Sequence, residues 1–420
     1  MIEIKPIKRL GGTVKIPGSK SYTQRALIIG ALAEGKSLLR NGLLSEDTEY
    51  LMEALRSLGS EILVEDEDMV IDGTGGTIIN PWREIYLGNN GTAMRFLTSL
   101  VCLGEGIFTL TGGPRLCERP IKPLLDALKI LGVDAQSDQG RGYPPVVVHA
   151  SGLRGGRVAM ADIESSQYVS SLLICAPYAE KDTVLELQGH IPSLPYIDMT
   201  IEVMKAFGVE VIRETPNRYS VRSGQRYEGK RYRIEGDVSS ASYFFLAAAL
   251  CEGRVRVQNL NPRTLQGDIK LLQIMERLGC TVIRGNHWVE VVGHELIPGE
   301  YAFDLGDMPD MVPTLSVLAA VRPGRTTITN VPHLRAKESD RLEALVTELK
   351  RTGVRGEKRD DGLTIYGSRP HGAEIETYND HRIAMSFAIL GLKTPGIKIK
   401  DKNCVNKSFP GFWEELKKLY

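Results

Sequence analysis

The chain has 420 residues, 42% hydrophobic and 25% charged, with 52 basic side chains set against 52 acidic ones. That length exceeds one ordinary core and points to two domains, while a formal charge of zero offers no overall field for nucleic acid or an anionic membrane. No apolar run approaches the roughly 20 residues of a membrane span, and six scattered cysteines without a C-x-x-C pair suggest neither a disulfide framework nor a zinc site.

The opening MIEIKPIKRL has neither the apolar core of a signal peptide nor the Arg/Ser-rich character of a transit peptide, so a cytoplasmic protein is expected. The next stretch, SYTQRALIIGALAEG, has apolar residues at helical spacing and predicts a helix closing on Gly35, with SLLRNGLL leaving as an extended segment. It contains GALAEGKS, which spells the G-x-x-x-x-G-K-S loop of nucleotide-binding proteins. A true phosphate loop follows a strand and opens a helix, whereas this one closes a helix, so Lys36 is expected to hold no nucleotide.

The same pattern returns five times, in GTAMRFLTSLVCLGEG, SSQYVSSLLICAPYAEK, SSASYFFLAAALCEG, MVPTLSVLAAVRPG and HRIAMSFAILGLKTPG. The closing positions Gly35, Gly106, Lys181, Gly253, Gly324 and Gly396 recur at intervals of 71, 75, 72, 71 and 72 residues. Between them run amphipathic helices ending at Gly59, Gly132, Gly208, Gly279 and Gly353, at intervals of 73, 76, 71 and 74. Such periodicity marks a structural repeat. β-rich segments around polar turns follow each second helix, so a repeat reads strand–helix–strand–helix–strand–strand. The sixth repeat ends early at GFWEELKKLY, and the N-terminal segment is expected to complete it. The expected α/β domains are therefore residues 18–236, and 1–17 plus 237–420, three repeats each. Hinges near 17–18 and 236–237 would flank a cleft holding the active site.

Each first helix begins 17 residues before its closing position, at GSKS, NNGT, ESSQ, GDVSSAS, DMPD and NDHR. Ser, Asp and Asn there serve as ordinary caps, but Lys20, Gln167, His381 and Arg382 are poor caps and point to a site. Helix N-termini attract anions, and the loops PRLCERP, RAKESDR and NKSFP add Arg115, Arg119, Arg335, Lys337, Arg341 and Lys407. Guanidinium forks suit phosphates and carboxylates. Asp310 and Glu338 stand among these cations as candidates for proton transfer; a surface network of charges is the alternative. Cys117 lies between Arg115 and Arg119, which would favour its thiolate, but it has no His near it in sequence. His spacing suggests no metal, and no nucleotide or other cofactor is expected.

The strings GSKSYTQR, LGNNGTAMRFL, ERP, SSQY, SLPYID, EGDVSSASYF, QGD, MPDMVPTL, KESDR, NDHRIAM and CVNKSFPGF occur in order from end to end. Together they resemble the 5-enolpyruvylshikimate-3-phosphate synthases of the enolpyruvyl transferase family. The resemblance implies a two-domain inside-out α/β barrel of six βαβαββ repeats, three per domain. It also implies transfer of the enolpyruvyl group of phosphoenolpyruvate to the 5-hydroxyl of shikimate 3-phosphate, in the pathway to chorismate and the aromatic amino acids.

On that resemblance Lys20, Ser21, Arg25, Ser165, Ser166, Gln167, Ser193, Tyr196, Asp310, His333 and Lys337 would hold shikimate 3-phosphate. Lys20, Asn89, Gly91, Arg119, Gln167, Arg341, Arg382 and Lys407 would surround phosphoenolpyruvate. Glu338 would exchange the proton at the methyl carbon, with Lys20 as the other candidate. Asp310 would bind or deprotonate the 5-hydroxyl, and His381 would orient Glu338 or Lys20. The only partners implied are these two small molecules, without nucleic acid or membrane, and a monomer is expected. The chain departs from the family at Phe96, where Pro is frequent, at Asn90, where Ala or Ser is common, and at His333, where Asn often stands. Two rivals exist. The UDP-N-acetylglucosamine enolpyruvyl transferases share the fold and use a loop Cys, but Cys117 lies too near Arg119, and KESDR with SSQ favours the shikimate branch. A non-catalytic repeat scaffold would leave the phased carboxylates and cations unexplained.

Overall fold

The computed structural model describes residues 1–420, which divide into two compact units. One is continuous, Gly18–Ile234; the other is split, Met1–Pro17 with Glu235–Tyr420. The third repeat shows the plan. Strands Gly156–Ala161 and Thr183–Gln188 pair in parallel across the helix Gln167–Cys175. The helix Pro195–Ala206 then leads to the hairpin Val211–Thr215 and Arg218–Val221, and Arg218–Val221 pairs antiparallel with Thr183–Gln188. A parallel strand pair needs a crossover, and the helix supplies it. Four further sheets have the same four-stranded order, and the sixth has three strands, Ile2–Glu3, Lys398–Ile399 and Glu374–Ile375.

The leading strands of the first and fourth repeats are exchanged. Gly11–Lys15, which precedes the helix Lys20–Leu32, pairs in parallel with Arg254–Gln258 of the fourth repeat. Arg231–Arg233, which precedes the helix Val238–Leu250, pairs in parallel with Leu38–Arg40 of the first. The first residues do complete the sixth repeat, through Ile2–Glu3. Only Ile2–Glu3 joins that sheet, and the longer Gly11–Lys15 strand serves the fourth. Pro17 ends the Gly11–Lys15 strand, and the ladder with Arg254–Gln258 sets which sheet it joins.

Each exchanged strand is fastened by the same device. Asn41 (φ +58°) donates from Nδ2 to Ile234 O at 2.9 Å, and Asn259 (φ +62°) donates to Ile16 O at 3.1 Å. The loop backbone then presses on the glycine at the start of the next helix. A Cβ on Gly18 would lie 2.0 Å from Asn41 O, and one on Gly236 would lie 1.8 Å from Asn259 O.

The helices are of two kinds, set by their patterning. Every residue of Val238–Leu250 and His381–Gly391 is buried, and these pack with Val312–Val321 in the interior of the split unit. Helices apolar on all sides are core helices, so here the helices lie inside and the sheets outside. The second helices, such as Glu46–Ser57, Lys122–Ile130 and Arg341–Arg351, bury one face only. They are followed by Gly59, Gly132 and Gly353 at φ +111°, +88° and +80°, as left-handed helix termination requires. The closing positions of the first helices prove less uniform than expected. Gly35, Gly106 and Gly324 all have positive φ, but Gly35 lies between helix and strand, Gly106 lies inside the strand Glu105–Thr111 and Gly324 opens Gly324–Thr329. The period belongs to the step from helix to strand. No helix is long and apolar enough to cross a membrane.

Gly18→Ala and Gly236→Ala should each cost about 1–3 kcal/mol, because backbone atoms must move to admit the methyl group. Gly356→Ala, whose Cβ would meet nothing nearer than 3.6 Å, is the control. Urea unfolding of the full chain measures all three, and equal losses would show that the close approach is immaterial.

Candidate active site

In the continuous unit the polar residues gather at the N-termini of three buried helices. Lys20 opens the helix Lys20–Leu32, and its ammonium lies 3.2 Å from Asp47 of the helix Glu46–Ser57. Arg25 is one turn further in and almost wholly buried. Its guanidinium donates to Thr200 Oγ1 (2.7 Å), Ser21 O (3.0 Å), Tyr196 O (3.1 Å) and Ser170 Oγ (3.5 Å). All four acceptors are neutral. Burial lowers the Arg25 pKa to about 10, since a charged group leaving water is penalised. Phe96 stands 5.3 Å from the same guanidinium, so the departure at Phe96 bears on Arg25.

Asn90 explains the second helix, Gly91–Leu100. Its Oδ1 accepts from Thr92 N and Ala93 N, satisfying helix-terminal donors. Its Nδ2 donates to Gln24 Oε1 at 2.9 Å and Asp47 O at 2.6 Å. One amide thus ties together the three helices that carry Lys20, Asp47 and Gly91, next to Asn89. At Gly91 a Cβ would lie 2.5 Å from Arg119 Cζ, so only glycine lets that guanidinium lie against the helix start. Gln167 opens the third helix; it donates to Thr92 Oγ1 and accepts from Arg95 Nη1, both at 2.9 Å. Ser166 occupies the cap position of that helix without a side-chain capping bond, while Ser165 Oγ accepts from Gln167 N at 3.3 Å. Ser193, buried at φ +62°, precedes the Pro195–Ala206 helix and accepts at its carbonyl from Tyr196 N.

The split unit presents a charge cluster. Arg341, at the start of its helix, donates Nη1 to Asp310, Nη2 to Glu338 and Nε to Asp380, each at 2.8 Å. Arg382 donates Nη2 to the other oxygen of Asp310 at 2.8 Å, and its buried Nε has no acceptor in the protein. Asp380 caps its helix through Arg382 N and also accepts from Ser339 Oγ. Burial pushes the Asp310 carboxyl up, but Arg382, Arg341 and Lys337 together outweigh it and hold it well below the usual carboxylate range. His381 is fully buried with Nδ1 3.9 Å from Asp380. Lys407 and His333 are buried in short helical turns, Asn403–Lys407 and Pro332–Ala336.

Some expected residues fall outside these clusters. Lys36 begins a strand, with its side chain 73% exposed and 3.8 Å from Asp72, so the nucleotide-loop reading has no structural support. Arg335 donates to the carbonyls of Asp360 and Arg359, Arg115 pairs with Glu118, and the Cys117 thiol points to Gly112 O. Four participants were not foreseen. Asp47 and Asp380 look in sequence like ordinary helix-start acids. Asp268 looks like a turn residue, yet it is buried beside Ser239, whose hydroxyl donates to it. Arg95 could have been found, because a cation inside an otherwise apolar helix needs partners; it donates to Gly91 O, Gln167 and Pro120 O.

Burial and the negative charge of Asp310 push the Asp268 carboxyl up to about 7, against the pull of Arg382. The folded state therefore holds a proton that the unfolded chain releases near pH 4. Between about pH 4 and 7 this group makes stability fall as pH rises. Urea midpoints across that range should show a shallower decline for Asp268→Asn than for the wild type. Parallel curves would mean that Asp268 is ionised throughout.

Comparison with known proteins places the chain. The family model for EPSP synthase (3-phosphoshikimate 1-carboxyvinyltransferase) matches residues 4–416. The 3-phosphoshikimate 1-carboxyvinyltransferase of Nostoc punctiforme is 43% identical over 415 residues, 98% of this chain and 97% of its own. That of Methanoculleus marisnigri is 44% identical over 401 residues, 95% and 94% of the two chains. A solved EPSP synthase of Acinetobacter baumannii superposes with a TM-score of 0.81 at 28% identity, covering 99% of this chain and 97% of that one. The chain belongs to the EPSP synthase (3-phosphoshikimate 1-carboxyvinyltransferase) family.

Proposed function

We propose that the chain transfers the carboxyvinyl group of phosphoenolpyruvate to the 5-hydroxyl of shikimate 3-phosphate. Arg25 is the observation that carries the assignment. A buried guanidinium whose hydrogen bonds all go to neutral oxygens favours an anionic ligand, and the shikimate carboxylate meets that need. Ser165, Ser166, Ser193 and Lys337 hold its phosphate, with Ser21, Gln167, Tyr196 and His333 lining the ring. Arg119 at the Gly91 helix start, with Asn89, Arg341, Arg382 and Lys407, takes phosphoenolpyruvate, and Lys20 serves both substrates.

The reaction is an addition followed by an elimination. A proton delivered to the methylene carbon of phosphoenolpyruvate leaves C2 electron-poor. The 5-hydroxyl oxygen adds there while its proton passes to a base, giving a tetrahedral ketal. Loss of phosphate and removal of one methyl proton restore the double bond. Glu338, which accepts from Arg341 at 2.8 Å, is assigned the exchange of the carbon-bound proton; Lys20 is the other proton carrier. Asp310 receives the hydroxyl proton, and His381 is assigned to orienting Glu338 or Lys20. Guanidinium groups beside the departing phosphate stabilise its charge in a site that excludes water. One chain carries every group that the reaction needs, which supports a monomer, and its six cysteines are all free, as in a reducing cytoplasm.

Phosphate release from phosphoenolpyruvate, with chelator present and no nucleotide, tests the reading. Release should require shikimate 3-phosphate; release with UDP-N-acetylglucosamine instead would move the chain to the cell-wall branch. In the same assay Lys20→Ala should lose about 10²-fold or more in kcat, the scale of a lost proton-transfer group. Lys36→Ala should retain near-normal turnover, and equal losses in the two variants would revive the nucleotide-loop reading.

A further inference from the structure

Two of the three guanidinium groups assigned to phosphoenolpyruvate, those of Arg341 and Arg382, are already occupied by a carboxylate. Asp310 gives one oxygen to Arg341 Nη1 and the other to Arg382 Nη2, each at 2.8 Å. This is the bridging geometry that a small carboxylate ligand would adopt between the same two donors. Arg341 meets two more carboxylates, Glu338 and Asp380, in the same plane of donors. Around Arg382 stand Asp268, which is buried beside Ser239, and the Tyr243 hydroxyl at 3.4 Å. The protein's own acids thus neutralise both cations before any substrate arrives.

We propose that Asp310 is the resting counter-ion of the phosphoenolpyruvate clamp, and that it must leave Arg341 and Arg382 before the substrate's carboxylate can take its place. The inference rests on the assignment of those two arginines to phosphoenolpyruvate. Asp380 stays as the fixed partner that orients Arg341, because it also anchors Ser339 and the helix start. Asp310 is the partner free to exchange: it sits in a single turn, Pro309–Met311, and its side chain keeps 21% of its surface open. Displacement serves the chemistry as well. Held between two guanidinium groups, the carboxylate is a poor base; withdrawn from them, it regains basicity at the moment when a hydroxyl proton has to be accepted. The Arg382 Nε proton, without an acceptor in the protein, is a further donor for the incoming anion.

The test is direct binding of phosphoenolpyruvate alone, by titration calorimetry, to the full-length wild type and to Asp310→Asn. If the displaced form is a tenth or less of the resting population, the variant binds about tenfold tighter or better, while its turnover with shikimate 3-phosphate falls. Asp310→Ser, with the same expectation, replaces it should the Asn variant fail to fold. Equal or weaker binding by the folded variant overturns the counter-ion role. Phosphate release by the wild-type preparation separates the two ideas: turnover without tightening sinks only this inference. Absence of both turnover and phosphoenolpyruvate binding in the wild type sinks the inference together with the substrate assignment.

Discussion

A helix buried on every side meets polar surroundings chiefly at its ends, and charged groups of this molecule gather there, while Arg25 and Arg95, one turn in, need partners of their own. The helices Val238–Leu250 and His381–Gly391 have no exposed residue, so their backbone donors meet polar surroundings only at the first turn. In each repeat that turn is where the sequence changes from apolar to Lys, Asn, Gln, Asp, His or Arg. The sheets outside supply burial and spacing but no site residues of their own.

Charge burial is the second consequence. A guanidinium placed at such a helix start leaves water and has to be balanced nearby. The continuous unit and the split unit solve this differently. Arg25 is satisfied by hydroxyls and carbonyls, with burial drawing its pKa down, which leaves it in want of an anion. Arg341 is surrounded by Asp310, Glu338 and Asp380. One arrangement waits for charge; the other has to exchange it.

The departures from the family pattern acquire meaning from the same constraint. Asn90, in place of a small residue, fills a buried position with an amide that makes four hydrogen bonds, two as a helix cap and two to Gln24 and Asp47. Its neighbour Gly91 must stay without a side chain because the Arg119 guanidinium occupies that space. Phe96 lies 5.3 Å from the Arg25 guanidinium, so this departure bears on Arg25.

The six-fold period, the two kinds of helix, the glycines after Gly59-type ends and the family itself were legible in the chain, because they follow from local spacing and from ordered motifs. Lys36 could be dismissed for the same reason: helix before glycine, strand after it. What the sequence could not decide were pairings over long separations. That Gly11–Lys15 serves the fourth repeat and Arg231–Arg233 the first depends on strand ladders between residues more than 190 apart. Asp47 and Asp380 were hidden because an acid at a helix start reads as a cap or a dipole partner, and Asp268 because it reads as a turn residue. Only the tertiary structure shows whether it faces solvent or a buried cation. The residues that can bear charge are set by the sequence; which of them neutralise one another is set by distance and burial, and those exist only in the folded chain.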